Sequence, residues 1–410
     1  MHSMGDWKQY KLKDVLDTLI DYRGKTPRKT MSGVPLITAK IIKNGRIDTP
    51  NEFIAIEDYN SWMVRGFPKV GDVVLTTEAP LGEVAQLADE NVALAQRVVT
   101  LRGKTDVLDN TYLKYFFLSH VGQQRLKARE TGTTVTGIKQ SELREVLVDC
   151  PPYETQIKIA SVLSSIDDKI EINRRINDNL EQQAQALFKS WFVDFEPYKD
   201  GEFVESELGM IPEGWRVGTI GDLCVTNKRT YKNGFANPIE YIDTGSVTKN
   251  VIDTIQILNP AVDKIPSRAR RAIVDGDILF SSVRPNQKHY AFMYNPSPNM
   301  VASTGFVSIT ANWSGYRYFI YQYLIQDEIT NKLQAIAEQS VSTYPSINPS
   351  DITDLQIVIP SNEIIGNYAE LASSFMGQID ENQQESRCLA TLRDTLLPRF
   401  MSGELKVKEL

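Results

Sequence analysis

The 410-residue sequence predicts an α+β protein: two similar mixed α/β modules separated by two long antiparallel coiled-coil helices, with the halves related by a pseudo-twofold axis. Three observations predict this class. The chain repeats itself, since Gly71-Asp72-Val73-Val74-Leu75-Thr76 is echoed by Gly276-Asp277-Ile278-Leu279-Phe280-Ser281. Ile138, Ser141-Glu142-Leu143 and Pro151-Pro152 are echoed by Ile347, Ser350-Asp351-Ile352 and Ile359-Pro360, and Trp7 and Trp215 open the two copies. The offsets are 205, 209, 208 and 208 residues, far beyond the ~20–50 residues of a solenoid unit. Next, each copy is β-branched and turn-rich, which reads as mixed strands. Last, each copy is followed by a long segment whose apolar residues recur in steps of four and three, the seam of a coiled coil.

The first module covers residues 1–152. Val73-Val74-Leu75 and Val98-Val99-Thr100-Leu101 are strand-like, and Asn44-Gly45 between Lys43 and Arg46 signals a turn. Asn110 to Arg129 reads as one helix with Leu113, Phe116, Phe117 and Leu126 on one side. Pro151-Pro152 ends the module. Residues 153–195 form the first spacer helix, free of Pro and Gly from Tyr153 to about Phe192. Its seam runs Ile159, Leu163, Ile166, Ile170, then Asn173 and Asn177, then Leu180. Polar residues in a seam fix register at a cost in stability, and at ~1.5 Å per residue the helix is roughly 55–60 Å long. Residues 196–214 are an acidic connector punctuated by Pro and Gly, and residues 215–360 are the second module. Residues 361–410 hold the second helix, starting near Asn362, and a tail. The seam here includes Phe375, Ile379, Asn382, Ser386 and Leu389, again polar in the middle.

The formal net charge of −7 argues at first against nucleic acid. Its distribution is uneven: +2 over residues 1–150, −6 over 151–212, 0 over 213–360 and −3 over 361–410. The acid lies in the segments after each module, not in the modules. Hydrophobic content of 41% and aromatic content of 9% are those of a folded protein, and no apolar run spans a bilayer. No secretory signal is visible. Cys150, Cys224 and Cys388 lie far apart, as expected of reduced cytoplasmic thiols.

The sequence argues against catalysis. No two glycines are separated by one residue, which removes the Gly-x-Gly cofactor turn. Gly132 to Lys139 approaches a phosphate loop, but its lysine is one place late and Gln140 stands where a hydroxyl is needed. Asp149-Cys150-Pro151-Pro152-Tyr153 puts Cys150 where an amine-gripping Asp-Pro-Pro-Tyr loop needs its carboxylate, and reads as a strand-to-helix boundary. Three histidines and no paired cysteines exclude a zinc site, and no metal is expected.

Loops in which basic side chains, hydroxyls and amides cluster are the binding candidates, because Arg, Asn and Gln read base edges while Lys, Ser and Thr hold phosphates. In the first module these are Arg23, Lys25, Arg28 and Lys29, then Lys43 and Arg46, then Thr76 and Thr77 after the Gly-Asp strand, with Thr133 and Thr134. In the second they are Lys228 and Arg229, Arg270 and Arg271, and, after the second Gly-Asp strand, Arg284, Asn286, Gln287 and Lys288. Singly each reads as a solvated turn residue; the equivalent placement of two of these loops in both copies favours the set.

Taken together, these residues resemble the specificity subunit of a type I restriction-modification system over nearly the whole chain. The motifs are Trp7 with Leu12-Lys13-Asp14-Val15, Tyr22-Arg23-Gly24-Lys25-Thr26-Pro27, Gly132-Thr133-Thr134, Glu154-Thr155-Gln156-Ile157, and Leu396-Leu397-Pro398-Arg399-Phe400. The second copy departs at Val341 to Pro345 and at Ile364-Ile365-Gly366. The resemblance implies two target recognition domains, each reading one half of a split, asymmetric site on double-stranded DNA. It implies two methyltransferase subunits as partners, carrying S-adenosylmethionine, and restriction (translocase/nuclease) subunits using ATP and Mg. It implies no cofactor on this chain, no membrane, and a prokaryotic cytoplasmic setting. The helix pair would then be a ruler for half-sites about one turn, ~34 Å, apart, and the outer face with Asp167, Asp168, Glu171, Arg174 and Arg175 would dock partner helices. The rivals are a free-standing two-headed DNA-binding protein and a protein adaptor that touches no nucleic acid.

Overall fold

The computed structural model describes residues 7–132, 136–232, 238–339 and 345–407. Two compact units divide the chain: residues 1–171 with 386–410, and residues 172–385. The boundaries fall inside the two long helices, so each unit holds part of both.

The first unit is built on a four-stranded antiparallel sheet in the order Leu16–Asp21, Val98–Gly103, Val73–Thr77, Leu81–Gln86. Its β-branched runs are buried on both faces, so they read as continuous apolar stretches. Alternation along the strands divides them between two cores. Val73, Leu75, Val99 and Leu101 face the helix Asn110–Leu118 with Tyr112 and Phe116, while Val74 and Val98 face Leu36, Ile37 and Leu94. That second layer contains Val34–Ile37 parallel to Ala93–Leu94, with Phe53–Ile54 antiparallel beside it. Strand Lys8–Lys11 pairs antiparallel with Leu147–Cys150, which ties the start of the module to its end.

The second unit repeats the plan. Its sheet runs Cys224–Thr226, Phe306–Ala311, Ile278–Ser281, Tyr290–Phe292, again antiparallel. Ile239–Ile242 lies parallel to Met300–Ser303 in the second layer, and Arg216–Thr219 pairs with Gln356–Ile359. The Gly-Asp echo is a turn of one design. Gly71 and Gly276 sit at φ 87° and 77°, where a side chain is strained. The following Asp72 and Asp277 are buried and accept the amides of Lys69 and Val274 at 2.9 and 3.0 Å.

The segment Asn110–Arg129, expected as one helix, is two: Asn110–Leu118 and His120–Lys127. Ser119 breaks it. Its backbone is extended and its hydroxyl accepts the amide of Gly122, capping the second helix. The four apolar residues assigned to one side are all buried nonetheless.

The long helices are Tyr153–Phe192 and Asn362–Met401, 40 residues each. In the first unit, Ile159 and Leu163 pack with Leu397, Phe400 and Met401. In the second unit the helices run antiparallel through the polar part of the seam. Asn173 Nδ2 donates to Glu385 at 2.7 Å, Asn382 Nδ2 donates to Asn177 at 2.8 Å, and Asn177 Nδ2 reaches the carbonyl of Ile379. Bonds that only one alignment satisfies are what fixes register. Leu180 and Ile379 are buried in this unit's core, while Ile170, Ser386 and Leu389 are half-buried. Met376, one place after the expected Phe375, is the deeper residue, and Phe375 packs at its edge.

Candidate nucleic-acid interface

Antiparallel pairing brings the end of strand Leu16–Asp21, the end of Val73–Thr77 and the start of Val98–Gly103 to one edge of the first sheet. Three loops leave from this edge, and residues 136–138 close onto it. The Ile138 amide donates to the Thr77 carbonyl at 2.9 Å, and Gly137 bridges Glu78. A Cβ on Gly137 would come within 2.8 Å of the Thr77 oxygen, so the approach requires glycine. The second sheet has the same closure: the Ile347 amide donates to the Ser282 carbonyl at 2.8 Å, which is the physical content of the Ile138/Ile347 echo.

At this edge of the first unit, Arg23 is held by Asp21, with Nε at 2.9 Å and Nη2 at 2.5 Å from Oδ2, and Nη1 donates to the Ile138 carbonyl. Arg65 arrives from the loop before the Gly-Asp turn and donates to the carbonyls of Asp21 and Arg23. Asp21, Arg23, Arg65 and Gln140 line an open recess of about 420 Å³. Thr26 donates to Gln96 at 2.9 Å, Arg97 pairs with Glu78, and Lys25 and Arg28 are exposed without a side-chain partner among the described residues. Lys29 pairs with Glu52 at 2.7 Å. Lys43 and Arg46 flank the Asn44-Gly45 turn of a two-residue hairpin, both exposed, with Arg46 near Asp48.

Thr76 and Thr77 are corrected. They finish the strand instead of opening the loop, and both are buried. Thr76 Oγ1 accepts the Glu83 amide and Thr77 Oγ1 donates to the Arg97 carbonyl, and burial keeps both hydroxyls out of reach of a ligand. Thr133 and Thr134 lie outside the described residues.

In the second unit, Arg229 folds back from the loop after its strand onto buried Asp277, at 3.2 Å, and donates to Thr310 at 3.1 Å. It serves the inside of the module, as Arg102 does against Asp72 in the first. Arg271 is half-buried and donates to the Phe306 carbonyl, and burial lowers its pKa from the usual range; Arg270 donates to Ser267. The loop after the second Gly-Asp strand is a short turn, Pro285–Gln287, flanked by Arg284 and Lys288 on left-handed backbone. There Lys288 pairs with Asp327, Gln287 meets the His289 ring at 3.2 Å, and the Asn286 amide donates to Gln334. Lys228 is exposed.

Sequence reasoning passed over Arg65, Arg97 and Gln140, because each is isolated in its local stretch and reaches the edge only through the fold. Asp167, expected on the outer face of the first helix, turns inward to Arg393, Lys114 and the Tyr115 hydroxyl. Burial pushes the thiols of Cys150 and Cys224 up to about 12. Among the described residues no cluster of three or more His, Cys, Asp or Glu is placed to hold a metal, and no helix is long and apolar enough to cross a membrane.

The family model for the type I restriction modification DNA specificity domain matches residues 4–182 and 212–387, one match per copy of the repeat. The chain is 31% identical over 420 residues to the type I restriction enzyme MjaIX specificity subunit of Methanocaldococcus jannaschii, covering 99% of this chain and 95% of that one. It is 25% identical over 476 residues to the HindI specificity subunit of Haemophilus influenzae, covering 98% and 100%. In fold it resembles the crystal structure of a type I restriction-modification S subunit from M. genitalium, with a TM-score of 0.52, 16% identity and coverage of 98% and 97%. The chain therefore belongs to the type I restriction-modification DNA specificity family, and its function is DNA sequence recognition.

Proposed function

We propose that this chain reads a split, asymmetric DNA site, one module per half-site, and performs no chemistry of its own. The observation that carries the reading is the duplicated sheet, with the same strand order, the same Gly-Asp turn and the same loop closure in both units. Two copies of one reading edge match two half-sites, and the long helices with their polar register lock set the unread stretch between them. Two methyltransferase subunits dock on the chain and supply S-adenosylmethionine; restriction subunits, using ATP and Mg, complete a cytoplasmic prokaryotic enzyme. The modules' near-neutral charge leaves much of the phosphate attraction to those partners.

Inserting one heptad into each long helix tests the spacing role. The expected result is a longer unread spacer or loss of methylation at the original site; unchanged methylation there contradicts it. Co-purification with a methyltransferase, and DNA binding that weakens with salt, separate this reading from a free-standing DNA binder and from a protein adaptor.

A further inference from the structure

The recess at the edge of the first sheet holds two guanidinium groups in different states. Arg23 is neutralised, since the Asp21 carboxylate takes Nε and Nη2 and the Ile138 carbonyl takes Nη1. Arg65 is fixed without being neutralised. Its Nη1 donates to the carbonyls of Asp21 and Arg23 at 2.6 and 3.1 Å, and its amide donates to the Tyr22 hydroxyl at 2.9 Å. The guanidinium carbon lies 5.8 Å from the Tyr22 ring centroid, and Tyr22 is itself buried and anchored to the Gly66 carbonyl. Among the described residues no carboxylate pairs with Arg65, and its Nε and Nη2 make no bond. Those two nitrogens form the edge of an arginine that donates two parallel hydrogen bonds to a two-oxygen anion. Gln140, on the same recess, also has a side-chain amide without a partner among the described residues.

The shape of the site selects the ligand. A base edge lies on the floor of a groove and is reached by an element that projects from the protein. A backbone phosphate projects from the duplex and enters a recess. One uncompensated, immobilised positive charge with a neutral amide beside it suits one phosphate.

We propose that the recess bounded by Arg65, Gln140 and the Asp21–Arg23 pair is a subsite for one backbone phosphate of the half-site read by the first module. Arg65 is its anion ligand and Gln140 its second donor. The subsite rests on the DNA-reading function proposed above. It places the duplex without reading it, so it affects affinity and register but not the choice of bases.

The test uses the full chain in complex with its methyltransferase and duplexes carrying the methylated motif. Arg65→Ala is expected to weaken binding roughly ten- to hundredfold, the range for a charge-assisted hydrogen bond. It also lowers the slope of log affinity against log salt by about 0.9, with the methylated motif unchanged. Arg65→Lys keeps the charge without the fork and falls between. Duplexes with a single neutral methylphosphonate linkage, scanned along the half-site, should contain one position that weakens the wild type to the Arg65→Ala level. At that position Arg65→Ala loses nothing more, and Gln140→Ala shows a smaller effect. The subsite is overturned if Arg65→Ala binds like the wild type, if it changes the motif at one base with the salt slope intact, or if no linkage couples to Arg65. A wild-type complex that still methylates its split motif leaves the function standing in each case; a wild-type complex that binds no DNA removes both.

Discussion

Each unit places a carboxylate at the same kind of junction, where the short helix after the main sheet meets the long helices, and the two treat it in opposite ways. In the first unit Asp167 is met by Arg393 at 2.9 Å, Lys114 at 3.6 Å and the Tyr115 hydroxyl at 2.7 Å. In the second, Glu181 faces Tyr321 and Gln322 from the helix Tyr316–Leu324 and Gln185 from its own helix, with Tyr368 and Tyr290 beyond and Asp178 adding a like charge. No cation pairs with it among the described residues. Tyr321, Gln322 and Gln185 come near enough to favour its charged form, but both carboxylate oxygens are inaccessible and none of the three makes a well-formed hydrogen bond with them. Burial therefore wins, and the Glu181 carboxyl is pushed up to about 7. One architecture thus carries a compensated charge in one copy and an uncompensated one in the other. The backbone plan is duplicated; the electrostatics are not.

The largest expected effect is on the compensated side. Asp167→Ala leaves buried Lys114 without its carboxylate and Arg393 with Asp394 alone, and removing one partner of this partly buried cluster costs about 3 kcal/mol, the low end for a buried pair. Denaturant unfolding should show the loss confined to the first unit; a change under 1 kcal/mol would mean the junction is solvated.

Glu181→Gln should act in the opposite direction. The folded state holds the Glu181 proton up to about pH 7, whereas an unfolded carboxyl releases it near ~4.3. Between those values the folded state binds more protons, so stability falls as pH rises through the window and stays lowered above it. At pH 8 the substitution is expected to stabilise the second unit by up to ~3 kcal/mol, with no gain at pH 4. Equal effects at both pH values would show that packing, not ionisation, is being measured.

A smaller effect separates the two Gly-Asp turns. Register puts Thr310 beside Asp277 where Arg102 stands beside Asp72, and Arg229 supplies the guanidinium from elsewhere in the chain. Arg229→Ala should cost about 1–2 kcal/mol, because buried Asp277 loses its guanidinium but keeps the Thr310 hydroxyl and the Val274 amide, and adding Thr310→Arg should restore part of it. A double variant no better than the single one would show that the two positions are not equivalent.

These cases also mark what can be read without a fold. The long helices were legible because seam spacing and polar interruptions are local properties of 40 consecutive residues, and the repeated turns because Gly-Asp is compact. Gln156 was legible as a motif residue but not for its reason: its side chain bonds Val107, Pro151 and Asp109, whereas Ile365 fills the matching place with an apolar side chain. The reading edge was harder. Whether a threonine closes a strand or opens a loop differs by one residue, and Thr76 and Thr77 fall on the strand side. Arg23 looks free in sequence because its pairing with Asp21, two residues back, depends on how the chain leaves the strand, and Arg229 because Asp277 is 48 residues away. Arg65 stood in an unremarked stretch for the same reason.

The central claim is that two copies of one edge read two separate half-sites. Sequencing the methylated genomic motif of a host that carries this chain and its methyltransferase tests it most directly, when repeated after residues 215–360 are exchanged for those of a relative. The account predicts a split motif in which one half changes and the other stays. A continuous motif, or an exchange that alters both halves together, would contradict it.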